Sequence, residues 1–201
     1  MSQEPAPGLR QRNKQDTRRR ILAAARGCLG AAGFEAVTMD EIAAAAEVSR
    51  ATLFNYFPSK VSILTALSLQ FDEQMVRLAE QQRARAVPTA QRIRGMLTEA
   101  ARSLEAAPPS VRRVVAIMER SWAEPDSASR MQKTIGLFRG LLEEGLTRGD
   151  IRPDLDCEVA GGIIAHTFVG IVHMWCFTDG YPLLKQADVA GRQFAQMLER
   201  R

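Results

Sequence analysis

The chain has 201 residues, of which 46% are hydrophobic and 25% charged, with a formal net charge of +4 and a pI near 9.3. That length buries a full core, as one medium domain or as a small domain joined to a larger one, and the composition excludes a disordered polymer. No apolar run approaches the roughly 18–20 residues that span a bilayer and no signal-type stretch opens the sequence, so a cytoplasmic protein without membrane contact is expected. Cys28, Cys157 and Cys176 are widely separated with no CxxC pair, so buried, reduced thiols are expected rather than a disulfide framework.

In chain order, residues 1–14 carry Pro5, Pro7 and Gly8 among few apolar groups and read as a mobile, basic arm. Arg10, Arg12, Lys14, Arg18, Arg19 and Arg20 cluster there with Asp16 as the single intervening acid. Such a cluster is either a solvated tail running into a polar helix face or a nucleic-acid contact, the arm reaching the minor groove in the second case. From Thr17 onward helical periodicity dominates. Ile21, Leu22, Ala25, Cys28 and Leu29 form one stripe that ends at Gly33, and Gly27 and Gly30 inside it require tertiary packing to hold the helix. Thr38 and Glu41 have capping-box spacing ahead of a short helix to about Ala46. Ser49 opens a second short helix, and Ser59, after Pro58, caps a long one bearing Ile63, Leu64, Leu67, Phe71, Met75 and Leu78.

Five more helices follow, starting at Pro88-Thr89, Pro109-Ser110, Pro125-Asp126, about Leu155, and after Gly180-Tyr181-Pro182. The turn Gly149-Asp150-Ile151-Arg152-Pro153-Asp154 separates the third of these from the fourth. No strand-type alternation bounded by turn residues occurs, so the expected fold is all-α, with about nine helices. Domain boundaries are expected near residues 14 and 75: arm, then a three-helix domain over 15–75, then a helical domain over 76–201.

The stretch Thr38–Lys60 carries the function. Two short helices joined by a tight turn must pack on each other, which requires Ala43 small at the crossing, Val48 plugging the gap and Leu53 as apolar anchor. Ser49, Arg50, Ala51, Thr52 and Asn55 are then left facing outward at the start of the second helix, where N–H groups and short side chains can enter a major groove. Two amphipathic helices in an ordinary core would share the periodicity but not this outward set followed by Tyr56 and Lys60.

Residues from about Gln15 to Gln74 resemble the DNA-binding domain of the tetracycline-repressor (TetR) family. The resemblance rests on Arg20-Ile21-Leu22, Ala24-Ala25, Gly33-Phe34, Thr38, Ile42-Ala43, Val48-Ser49, Thr52-Leu53, Tyr56-Phe57 and Lys60. It implies phosphate contacts by Thr38, Tyr56 and Lys60, with Arg50, Ala51 and Thr52 in the groove. Three positions depart from the family pattern: Phe54 where a Tyr often donates to phosphate, Glu47 where a turn Gly is frequent, and Ala51 where Gly is frequent. Arg50 is the candidate for base readout, because a guanidinium pairs bidentately with guanine; a phosphate contact is the alternative.

For the remaining chain the resemblance implies a homodimer built from the last two helices and an effector site among the middle ones. Gly161, Gly162, Ala165 and Gly170 allow close helix approach, while Ala187, Ala190, Gly191, Phe194 and Leu198 mark an apolar stripe. Met96, Met118, Trp122, Met131, Phe138 and Phe168 are adaptable apolar groups suited to a drug-like or lipid-like effector, although each taken singly reads as core. His166, His173 and Cys176 share one face of a single helix and do not converge as metal ligands without a further group; neither metal nor cofactor is expected. The expected function is a repressor that a small apolar or amphipathic effector releases from operator DNA. The alternatives are an activator or effector-independent regulator, and an all-α enzyme or carrier, for which no phosphate loop or catalytic signature is visible.

Overall fold

The computed structural model describes residues 8–120 and 126–199, and every regular element among them is helical. The helices are α1 (Leu9–Ala32), α2 (Met39–Ala45), α3 (Arg50–Tyr56), α4 (Lys60–Arg83), α5 (Thr89–Glu105), α6 (Pro109–Arg120), α7 (Asp126–Arg148), α8 (Cys157–Phe177) and α9 (Leu183–Leu198). The chain divides into two compact units, residues 1–68 with 109–114, and residues 69–108 with 115–201.

In the first unit α1 starts at Leu9 rather than near Thr17, so residues 9–14, expected as part of an arm, are helix, while residues 1–7 of that expected arm lie outside the described residues. Leu, Arg, Gln and Lys dominate residues 9–16 and are strong helix formers, which sustains the helix there without an apolar stripe. Ile21, Leu22, Ala25 and Leu29 of α1, Ile42 and Ala43 of α2, Leu53 of α3, and Ile63 and Leu67 of α4 are buried and form the core. The carboxyl end of α1 has no basic residue of its own in the last turn. A distant cation satisfies two of its orphan carbonyls instead. Arg113 donates to the carbonyls of Gly30 (2.8 Å) and Ala31 (3.0 Å), and in the turn beyond the helix Lys60 Nζ donates to Phe34 O at 2.7 Å. Gly30 is required by packing, since a Cβ there would collide with the backbone and side chain of Ser110. Nothing lies within 4 Å of a Cβ placed on Gly27, and nothing in the structure explains that glycine.

In the second unit α5 packs on α9 and α7, and α8 packs on α7 and α9. α7 closes on Gly149, at φ 69°, with Asp150 N–H donating to Gly145 O (3.2 Å) and Gly149 N–H to Leu146 O (3.0 Å). These two bonds are the Schellman pattern, which needs a left-handed residue at this point. α8 starts on Asp156, whose carboxylate accepts from the N–H groups of Glu158 and Val159, both at 3.0 Å.

Two expectations about these helices need correcting. First, α8 is long and apolar enough to cross a membrane, by length and composition, with mean hydropathy 1.5 over its 18-residue window. Interspersed Gly, His and Thr hide this from a search for an unbroken apolar run, because they lower the average only slightly. Second, the small and apolar residues expected to pair two copies serve different partners. Gly161 packs on the Arg139 backbone of α7 and Gly191 on Arg94 of α5, while Ala187, Phe194 and Leu198 are buried within the chain. What α8 leaves outward is Val159, Ile163, Met174 and Phe177, together with Gly162 and Gly170, around which nothing lies within 4 Å of an added Cβ. No disulfide joins the three cysteines; Cys157 is buried and Cys28 and Cys176 are half-buried.

Candidate nucleic-acid interface

α2 and α3 are too short to persist alone, so caps and a shared core hold them. Thr38 Oγ1 accepts from Glu41 N–H at 3.2 Å, and the Glu41 carboxylate accepts from Thr38 N–H at 2.8 Å. That backbone hydrogen bond, then the one from the Thr38 hydroxyl, hold the Glu41 pKa below the ordinary Glu value. Ser49 caps α3 in turn, its Oγ accepting from Thr52 N–H at 3.0 Å. Between the helices, Val48 N–H donates to Ala43 O at 3.0 Å, and Glu47 takes φ 53°, the left-handed turn that Gly would adopt without cost. Arg20 reaches across to Glu47 O at 3.4 Å.

This framework turns one edge of α3 to solvent. Ser49, Arg50, Ala51, Phe54 and Asn55 are exposed, Thr52 and Tyr56 half-exposed, and Leu53 fully buried beneath them. Of the candidate DNA-binding residues, Ser49, Arg50, Ala51, Thr52, Asn55 and Tyr56 thus share one short helix and its cap. Thr38 stands exposed at the start of α2. Lys60 stands apart: its ammonium is engaged with Phe34 O (2.7 Å) and Glu35 O (3.3 Å) and lies over the Phe34 ring at 4.9 Å. Three members of the N-terminal basic cluster are also engaged inside this unit, Arg20 at the turn, Arg18 over the Phe57 ring at 5.5 Å, and Arg19 with Asp16.

Sequence reasoning missed the surroundings of Arg50. Its Nη1 donates to Asp40 Oδ2 at 3.0 Å, and its guanidinium carbon lies 5.5 Å from the centre of the Phe54 ring. The i, i+4 spacing of Arg50 and Phe54 within one helix was the available signal for the second contact. For the first there was none, because the geometry between α2 and α3 decides which acid meets which base.

Of the residues singled out for an effector, Met96 and Phe138 are completely buried, Met118 and Phe168 nearly so, and Met131 is half-buried. Trp122 lies outside the described residues. All the others sit in the second unit. A polar group in the same unit escaped notice: Asp72 of α4, whose Oδ2 is buried without a hydrogen bond and lies 4.0 Å from Lys133 Nζ. Burial raises its pKa.

Residues 21–67 match the family model of bacterial regulatory proteins of the tetR family. Among curated proteins, an HTH-type transcriptional regulator of Bacillus subtilis, YdeS, is 28% identical over 156 residues, 75% of each chain. The HTH-type transcriptional repressor KstR of Mycobacterium tuberculosis is 28% identical over 144 residues, 70% of this chain and 63% of KstR. Among solved structures, the transcriptional regulator FadR from Bacillus subtilis, in complex with stearoyl-CoA, superposes with a TM-score of 0.74 at 21% identity, over 90% of this chain and all of that one. The matched segment contains α2, its capping box and the exposed edge of α3, and over these residues the chain is similar to the bacterial regulatory proteins of the tetR family.

Proposed function

We propose that the chain is a homodimeric repressor that reads operator DNA with the exposed edge of α3 and is released when a small apolar or amphipathic molecule binds its second unit. The observation that carries the first part is the edge itself. Ser49, Arg50, Ala51 and Asn55 are exposed on a helix whose start is capped and whose inner residue, Leu53, is fully buried, so donors of different reach project from a fixed base. In this reading Arg50 pairs with a guanine edge, Ser49, Ala51, Thr52 and Asn55 contact the groove, and Thr38 and Tyr56 meet phosphates. Lys60 acts first to hold the turn after α1 and only secondarily on phosphate. Arg50→Ala is expected to weaken operator binding by about 1–3 kcal/mol in titrations and to relax the preference at one position of each half-site. Unchanged affinity would remove Arg50 from the contact set.

One recognition helix touches only a few base pairs, so useful specificity needs a second copy about one DNA turn away. The outward apolar residues of α8, with Gly162 and Gly170 between them, suit a two-fold pairing of α8 helices. Light scattering should then give twice the 22.2 kDa chain mass; a monomer at micromolar concentration would defeat this part.

KstR is named a repressor and FadR is described with stearoyl-CoA, which supports repression and an amphipathic effector here. Met96, Met118, Met131, Phe138 and Phe168 are the residues such a molecule would displace or line. A ligand that prefers the form unable to bind DNA lowers operator affinity by linkage. Operator fragments selected with and without cell extract test this directly, since extract should lower recovery. Equal recovery with a broad set of acyl and aromatic ligands would favour an effector-independent regulator.

A further inference from the structure

We propose that Asp40 is a specificity-determining positioning residue: with the Phe54 ring it holds the Arg50 guanidinium in the attitude for a base edge and makes pairing of that guanidinium with a phosphate less favourable. This rests on the reading of α3 as the DNA-contacting helix. The Asp40 and Arg50 side chains are 60% and 70% exposed, and an ion pair so exposed adds little to stability. The helix dipole accounts for an acid in the first turn of α2, but stability does not account for its pairing with Arg50. Electrostatics argues against it for simple affinity as well, since a carboxylate beside the DNA-facing edge repels phosphates.

Specificity does account for it. An unrestrained arginine on a short helix would swing to whichever phosphate lies nearest, on any sequence. Here the bond at 3.0 Å to Asp40 takes one of the five guanidinium N–H donors, and the Phe54 ring supports the planar group from another direction at 5.5 Å. Donors remain for the two acceptors that guanine presents in the major groove. To reach a phosphate instead, Arg50 must leave Asp40, so the wrong contact carries a loss that the right one does not, which is how a repulsive element sharpens discrimination. Phe54, standing where the family often has a phosphate-donating Tyr, fits the same purpose: it exchanges a sequence-blind contact for support of the residue that reads sequence.

The test compares the full-length protein with Asp40→Asn, Arg50→Ala and the double variant, each titrated on the selected operator, on single-base-pair variants of it and on random duplex over a range of salt. Asp40→Asn should lose at least about threefold of the preference at the base pair that Arg50 reads. It should bind random duplex as tightly as the parent or tighter, with the salt slope on random duplex steeper by about one as Arg50 turns to phosphate. The double variant should show no further loss of base preference beyond Arg50→Ala. Asp40→Glu, which keeps the acidic first turn of α2, should fall between parent and Asn. The proposal is overturned if Asp40→Asn retains the full preference while Arg50→Ala loses it, or if Asp40→Asn weakens operator and random duplex in equal proportion, as a merely structural residue would. Retention of base preference by Arg50→Ala is a different failure, of the reading of α3, and takes this proposal with it.

Discussion

The two units of the chain are organised by polar contacts of different range. In the first, the bonds that start helices join residues three apart: Thr38 with Glu41, Ser49 with Thr52, Ser59 with Ser62. In the second, the decisive pairs span 61 residues between Arg83 and Glu144 (2.6 Å) and between Thr89 and Asp150 (2.7 Å), and 94 between Arg94 and Asp188 (2.7 Å). Short helices cannot be stabilised by their length, so their ends must be specified locally. Long helices carry end contacts too, as Asp156 does for α8, but their further polar residues are free to set how they pack on one another. The contrast predicts that changes in the second unit act through packing and buried networks, and changes in the first through caps and turns.

The largest expected effect tests the packing side. Phe138 is completely buried, and Phe138→Ala should destabilise the protein by about 3–5 kcal/mol in urea unfolding. A loss under about 1.5 kcal/mol would mean that its ring borders open space, which would shift Phe138 from core to effector lining. The second tests the long-range network. Asp150 accepts from Thr89 N–H (3.1 Å) and Thr89 Oγ1 (2.7 Å), and Arg148 donates to Thr89 Oγ1 at 2.8 Å. Thr89 is completely buried. Asp150→Asn keeps one acceptor oxygen where two are used, leaving a buried donor unmet, and should cost about 2 kcal/mol. If Thr89→Val in the Asp150→Asn background restores nothing, the network is incidental to the fold.

The same contrast explains what the sequence made legible. The capping box at Thr38, the Ser49 and Ser59 caps, and Leu53 as the buried anchor were all readable, because each depends on residues within a turn or two. The left-handed turn at Glu47 was signalled only through the family resemblance, by the frequent Gly at that position. Asp40 beside Arg50, Lys60 on the turn after α1, and Gly30 against Ser110 were not readable; each depends on how separate helices meet. The same limit misassigned Gly161 and the α9 stripe: smallness or an apolar stripe signals close packing without saying which partner is close. The early start of α1 has another cause, a helix built from propensity alone, which an amphipathic pattern cannot reveal.

Next in size is the local side. Thr38→Ala removes the α2 cap and should cost about 1 kcal/mol in thermal or chemical unfolding. It also predicts a pH effect. In the folded chain the Thr38 bonds lower the Glu41 pKa, so the stability they supply is fully present above the unfolded-state pKa of Glu. It is lost as pH falls through the folded value. Glu41→Gln should flatten the acid limb of the stability curve relative to the parent, and Thr38→Ala, which keeps the backbone N–H donor to Glu41, should flatten it less. An unchanged limb would show that the box adds nothing beyond helix propensity.

The smallest effect lies at Glu47, and it separates backbone from charge. At φ 53° a side chain costs about 1 kcal/mol or more, and Gly recovers this less its own greater freedom when unfolded, for a net gain of about 0.5 kcal/mol. Glu47→Ala removes the carboxylate but keeps the strain. Both variants should bind random duplex more tightly, because an acid near the α3 edge is gone, while Glu47→Gly alone should melt higher, by about 1–2 °C. If both variants melt alike, the left-handed turn is not strained, and the departure from Gly at this position acts through charge only. If neither binds DNA more tightly, Glu47 lies outside the reach of the phosphates, and the contact surface is confined to α3 and its cap.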